Sequence, residues 1–167
     1  PALDEIRFVF YPDENTRVNA LRAGDIDIID YVPWKDIPLI ELDDNLKLAS
    51  VNGPFMLMQF NTKFEPFQDP RVRQAMSYAI DRNAIINTAF NGRGTPIYGM
   101  AIPEGYLGYN EKHVNYFEHN YEKAKELLAE AGYPNGFKAR LLSTSQYLFH
   151  QNMAVAIASE LEKVGIQ

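Results

Sequence analysis

The chain alternates between short apolar runs and stretches whose apolar residues recur at helical spacing. Ile6, Phe8 and Phe10 alternate with Arg7 and Val9, the signature of a strand with one face buried, and Pro12 ends it. Asp13 or Asn15 can cap a helix carrying Val18, Leu21 and Arg22, with Gly24 as its stop. Asp25 to Asp30 alternates again, so a β-α-β order permits a parallel pair with a crossover helix. A short helix to Leu42, a turn at Asp43–Asn45 and a strand from Leu46 to Val51 follow, and Asn52-Gly53-Pro54 is the best break in the chain. Phe55 to Phe60 is apolar except at Gln59 and reads as a strand covered on both faces.

The next signals are the sharpest. Asp69 before Pro70 reads as an N-cap with proline at the first helical position. The helix it opens turns Val72, Ala75, Met76, Ala79 and Ile80 inward. Asp81 caps a second helix through Ile85, Ile86, Ala89 and Phe90, closed by Asn91-Gly92. From Asn91 to Asn120 the chain is loop-like, punctuated by Gly92, Gly94, Pro96, Gly99, Pro103, Gly105 and Gly108. Asn120 then caps a helix from Tyr121 to Ala131 with Ala124, Leu127 and Leu128 on one face, ended by Gly132 and Pro134. Phe137 to Leu142 is a further strand, and a final helix carries Met153, Ala154, Ile157, Leu161 and Val164 before Gly165 stops it.

Composition narrows the function classes. The 167 residues are 46% apolar, enough for a sizeable core, and the net charge of −6 with no basic run argues against a nucleic-acid partner. No cysteine is present, which excludes disulfides and thiolate metal sites. His113, His119 and His150 show neither HExxH nor i, i+4 spacing, with surface placement expected for His113 and His119, and there is no GxSxG element. DIDIID resembles a calcium loop only in its alternating carboxylates, since glycine at the sixth and glutamate at the twelfth position are missing. NGRGTP lacks the phosphate-loop patterns and neither follows a strand nor opens a helix. No catalysis, metal or cofactor is expected.

The string FNTKFEPFQDPRVRQAMSYAIDRNAII (Phe60 to Ile86) resembles a stretch of the family 5 extracellular solute-binding proteins, the oligopeptide and dipeptide receptors of ABC importers. DENTRVNALRAGDIDI (Asp13 to Ile28) and EKAKELLAEAGYPNGF (Glu122 to Phe137) are similar to the family's flanking segments, in the same order. The resemblance implies an α/β architecture, an interior piece of a two-lobed periplasmic-binding-protein-like (class II) fold with mixed sheets flanked by helices. It further implies one lobe for residues 1–54, a crossover or hinge strand at 55–61 and part of the second lobe over 62–167. The implied function is capture of a solute, first an oligopeptide, between two lobes and its delivery to ABC permease subunits in the membrane, with no reaction. The implied location is periplasmic or at the cell surface, with the export signal outside this segment. Two alternatives stay open: the ligand-sensing domain of a transcription regulator with the same fold, and an oligosaccharide or chelated-nickel receptor of the same family.

Six residues are candidates for ligand contact. Tyr31-Val32-Pro33-Trp34 follows the C-terminal end of the Asp25–Asp30 strand, where crevices form in open α/β sheets, and Trp34 is the only tryptophan. The resemblance implies that this loop reaches the binding cleft, which singles out Asp30, Tyr31 and Trp34. Leu57, Gln59 and Asn61 share one face of the strand that the resemblance puts at the hinge, and the two amides offer donors and acceptors. Asn61, at a strand end, is equally a turn former. Arg93 is the side chain of the long loop that would suit a peptide carboxylate.

Overall fold

The computed structural model describes residues 2–51, 53, 55–102 and 104–167. Asn52 and Pro54 of the expected break, and Pro103 of the long loop, lie outside the described residues. The chain divides into two compact units, Pro1–Asn52 and Gly53–Gln167.

In the first unit, α1 (Glu14–Ala23) begins at Asp13, whose carboxylate accepts the Thr16 N–H at 2.8 Å. Asp13 is therefore the cap, and its carboxyl is held below the ordinary carboxylate range, chiefly by that backbone hydrogen bond and by the Thr16 hydroxyl. Gly24 closes the helix at φ +78°. A 3-10 turn over Trp34–Asp36 leads into α2 (Ile37–Glu41). Val18 and Ala20 of α1 and Ile37 and Ile40 of α2 are buried.

The second unit is built on four helices. A 3-10 turn over Glu65–Gln68 leads to α3 (Pro70–Ala79), α4 spans Arg82–Ala89, α5 Tyr121–Glu130 and α6 Leu148–Glu162. Three caps fall where the sequence puts them: Asp69 accepts from Arg71 N at 2.8 Å, Asp81 from Ala84 N at 3.0 Å and Asn120 from Lys123 N at 2.9 Å. α3 packs mainly on α5, and α4 on α6. Val72, Ala75, Met76 and Ala79 meet Ala124, Leu127 and Leu128 in the buried set, and Ile85 and Ala89 join Phe149, Ile157 and Leu161. Around this core Phe60, Phe64, Phe67, Tyr133 and Phe137 form a run of mostly edge-on rings 5.1–6.2 Å apart. That run ties the Phe55–Phe60 segment to the start of the Phe137–Leu142 segment.

The expected strands are the main departure. Among the described residues none of the five segments forms a regular ladder, so mixed sheets are not found here. A strand needs a neighbour for its backbone groups, and apart from one short pairing at Phe137–Ala139 these segments show none among the described residues. Their side chains are bare accordingly: Phe8 is 85% exposed and Phe10 93%, and Leu57, expected to be covered, is 57% exposed. One pairing does begin. Gln167 N donates to Phe137 O at 3.0 Å and Ala139 N to Gln167 O at 2.7 Å, the slanted pattern of a parallel pair closed over α6. Beside it Gly136 (φ +73°) and Gly165 (φ +90°) touch backbone to backbone, and a Cβ on Gly136 would sit 2.0 Å from Gly165 O.

The long loop is strapped to α3 and α4. Phe117 N donates to Tyr98 O at 2.8 Å, Asn120 N to Tyr78 O at 2.9 Å and the Tyr78 hydroxyl to Tyr116 O at 3.2 Å. The Arg82 guanidinium donates to Ser77 O, Ile80 O and Phe117 O and lies 5.5 Å from the Tyr98 ring centre. Burial lowers its pKa, and carbonyl dipoles and a ring face take the place of a carboxylate.

Candidate functional site

The candidates fall on both units. In the first unit, Asp30, Tyr31 and Trp34 lie in one short segment between the Asp25–Asp30 run and the 3-10 turn. Asp30 is exposed, and Tyr31 and Trp34 are half-buried. Tyr31 adopts φ +63°, a left-handed conformation that a bulky side chain rarely takes and that costs about 1–3 kcal/mol. Pro33 in the same segment and Ile37 and Ile40 of α2 are buried.

Helix α1 grips this segment at two points. Arg17 Nη2 donates to Tyr31 O at 3.3 Å and Nη1 to Tyr11 O at 3.1 Å, so one guanidinium joins the ends of the two alternating runs on either side of α1. Lys35 Nζ donates to the Asn15 side-chain oxygen and lies 3.6 Å from Asp36 Oδ2. Arg17 was invisible to the periodicity argument because it sits on neither the apolar stripe nor a cap. Its spacing from the Tyr11 and Tyr31 ends of the β-α-β order was the available signal.

In the second unit, exposure alternates along the strand-like segment: Leu57, Gln59 and Asn61 are exposed, while Met58 and Phe60 are half-buried. Asn61 is committed to a turn. Its side-chain oxygen accepts Lys63 N at 3.1 Å and its carbonyl accepts Phe64 N at 3.0 Å. Arg93 sits after the α4 stop, its N–H donating to Phe90 O at 2.9 Å.

The densest ionisable cluster lies apart from these residues. Glu160, only 6% exposed, accepts the Tyr121 hydroxyl on one oxygen and Lys163 Nζ at 2.7 Å on the other, and Lys163 also donates to the Tyr121 oxygen at 2.8 Å. Burial alone raises the Glu160 pKa, but the hydrogen bonds from Lys163 and Tyr121 outweigh it and leave the carboxyl below its ordinary value. Burial and Glu160 raise the Tyr121 hydroxyl, and Glu160 and Tyr121 raise Lys163. Glu160 and Lys163 of the α6 end and Tyr121 of α5 are bonded to one another, which makes the cluster a fastening between α5 and α6, and a backbone hydrogen bond from Asp81 also favours the Glu160 carboxylate. The histidines are apart from one another. His119 and His150 are half-buried rather than at the surface, His119 edge-on to Tyr121 at 4.2 Å and His150 against Phe149 at 4.2 Å. No group of three potential metal ligands occurs among the described residues, and no described helix is long and apolar enough to cross a membrane.

Known proteins supply the family. The bacterial extracellular solute-binding proteins, family 5 Middle, match residues 1–167, and the chain belongs to that family. The structure of the PBP AgaA from A. tumefacien R10, in complex with agropinic acid, is 65% identical with a TM-score of 0.92, covering 100% of this chain and 34% of AgaA. The ABC transporter-associated periplasmic binding protein DppA from Helicobacter pylori, in complex with the peptide STSA, is 30% identical with a TM-score of 0.76, covering 94% of this chain and 30% of DppA. The glutathione-binding protein GsiB of Escherichia coli (strain K12) is 33% identical over 170 residues, which is 100% of this chain and 32% of GsiB. The chain thus spans about a third of the length of the curated relatives it matches.

Proposed function

We propose that this chain is part of the solute-binding component of an ABC importer, and that the whole protein takes agropinic acid or a close analogue. The observation that carries the ligand is the identity to AgaA, 65% over the whole chain against 30% to the peptide-bound DppA and 33% to GsiB. On this reading the unit Pro1–Asn52 belongs to one lobe and Gly53–Gln167 to the other, with residues 55–61 as the crossover strand. The bare faces of the alternating runs at Phe8, Phe10 and Leu57 fit a receptor whose sheets are completed by the rest of the protein. Asp30, Tyr31 and Trp34 contribute one ligand wall and Leu57 and Gln59 another, while Asn61 shapes the turn beside them. Binding shifts the receptor toward the form that the permease accepts, and no bond in the solute is made or broken. The protein works in the periplasm or at the cell surface.

A second reading, a peptide receptor, is favoured by the peptide STSA bound to DppA. Calorimetry on the full-length protein separates the two. Agropinic acid binding at one-to-one stoichiometry, with glutathione and mixed tetrapeptides silent, is the expected result. Tight binding of tetrapeptides with agropinic acid silent would replace the first reading by the second.

A further inference from the structure

We infer that Arg17 is the positioning residue of the Tyr31–Trp34 ligand wall, an inference that rests on that wall facing solute. The argument begins with the backbone. Tyr31 is one of two non-glycine residues at positive φ among those described, and the other, Asn91, is of a type that tolerates it. A bulky residue stays in that conformation only when its surroundings over-determine it. The group that holds its carbonyl is the Arg17 guanidinium, which reaches Tyr31 O at 3.3 Å while bonded to Tyr11 O at 3.1 Å. Arg17 Nε is buried with no hydrogen-bond partner among the described residues, so the bonds this guanidinium makes run through its two terminal nitrogens to these carbonyls. Lys35, next to Trp34, is bonded to Asn15 on the same helix. The segment carrying Tyr31 and Trp34 is therefore fastened to α1 at both ends, with the part-buried fastening at Tyr31.

The chemistry explains the choice of side chain. A planar guanidinium presents five donors in a fixed fork and spans two carbonyls, whereas an ammonium on a flexible stem acts as a point donor. Releasing Tyr31 would let its φ relax toward the common negative values and swing the segment that follows. The bound solute would then meet an indole and a phenol in the wrong place, although neither had been altered.

The test uses the full-length protein with agropinic acid as the probe, and four variants: Arg17→Met, Arg17→Lys, Trp34→Ala and the double Arg17→Met/Trp34→Ala. Amide exchange over residues 30–36 is read without ligand and Kd by calorimetry. We expect faster exchange confined to that segment in Arg17→Met, a roughly tenfold weaker Kd, a smaller loss in Arg17→Lys, and a double variant whose loss falls short of the sum of the two single losses. Arg22→Met, on the exposed end of α1, controls for the lost charge and should bind as the wild type does. Unchanged exchange in Arg17→Met, additive losses in the double variant, or an equal loss in Arg22→Met would overturn the inference. If Trp34→Ala binds normally, the ligand wall is refuted and the inference goes with it; if the wild type ignores agropinic acid, the proposed ligand alone fails, and the same affinity comparisons with the peptide STSA as probe decide the inference by the same criteria. Should Arg17→Met fail to fold, Arg17→Lys carries the same exchange and affinity comparisons.

Discussion

Glu160→Gln is the most informative single change in the second unit. The carboxylate is 6% exposed and joins α6 to Tyr121 at the start of α5 and to Lys163 one turn on. An amide keeps the shape but sets an NH2 against either the Tyr121 hydroxyl or the Lys163 ammonium. A hydrogen bond to a charged group is worth about 1.5–3 kcal/mol, so a loss of about 2 kcal/mol is expected at neutral pH. That corresponds to a roughly 30-fold fall in exchange protection across α5 and α6. The pH dependence supplies the sign. The folded Glu160 pKa lies below the ordinary value of 4.5, so its contribution is full above that value and disappears as pH falls through the folded pKa. The gap between wild type and Glu160→Gln should therefore narrow as pH falls below 4.5. Protection within about threefold of wild type at pH 7, or a gap that keeps its full size as the solution is acidified until Glu160 is protonated, would refute the reasoning.

Other changes test separate parts of the fold. Gly136→Ala forces a Cβ to 2.0 Å from Gly165 O at a φ of +73°, and should cost more than about 2 kcal/mol and lower the melting temperature by several degrees. Asp81→Ala removes the α4 cap and should cost about 1 kcal/mol, whereas Asp81→Asn should lie close to wild type by denaturant midpoint. Arg82→Met frees the carbonyls of Ser77, Ile80 and Phe117 and should speed limited proteolysis within residues 98–117 while leaving α5 and α6 protected.

How far the sequence reaches depends on how local the determining interaction is. Caps such as Asp69, Asp81 and Asn120 are legible because the acceptor and its N–H lie within three residues. Helical stripes are legible because Val72, Ala75, Met76 and Ala79 report one face through a fixed period. Strands are another matter. Phe8 and Phe10 show the right alternation yet stay exposed, because alternation marks a face and does not supply the strand that would pair with it. Glu160 was hidden for a related reason: with Lys163 three residues on, it reads as an ordinary solvated pair, and only the arrival of Tyr121 on α5 makes it buried. The candidate site was legible as segments more than as side chains. Asn61 does form the turn that its place at a strand end allows, and Arg17 emerged only when Tyr11 and Tyr31 were brought within reach of one guanidinium.

The strapped loop offers a practical opening. Its two legs are held at Tyr98–Phe117 and Tyr78–Asn120, while Tyr106 is 69% exposed and Leu107 fully so, between Gly105 and Gly108 at positive φ. Strain introduced between Tyr106 and Leu107 would be absorbed by the glycines before it reached the straps. A fluorescent protein inserted there, or a pair of new chain ends made by circular permutation, should leave the helical core standing. On the proposed function, that would give a reporter whose signal tracks the solute.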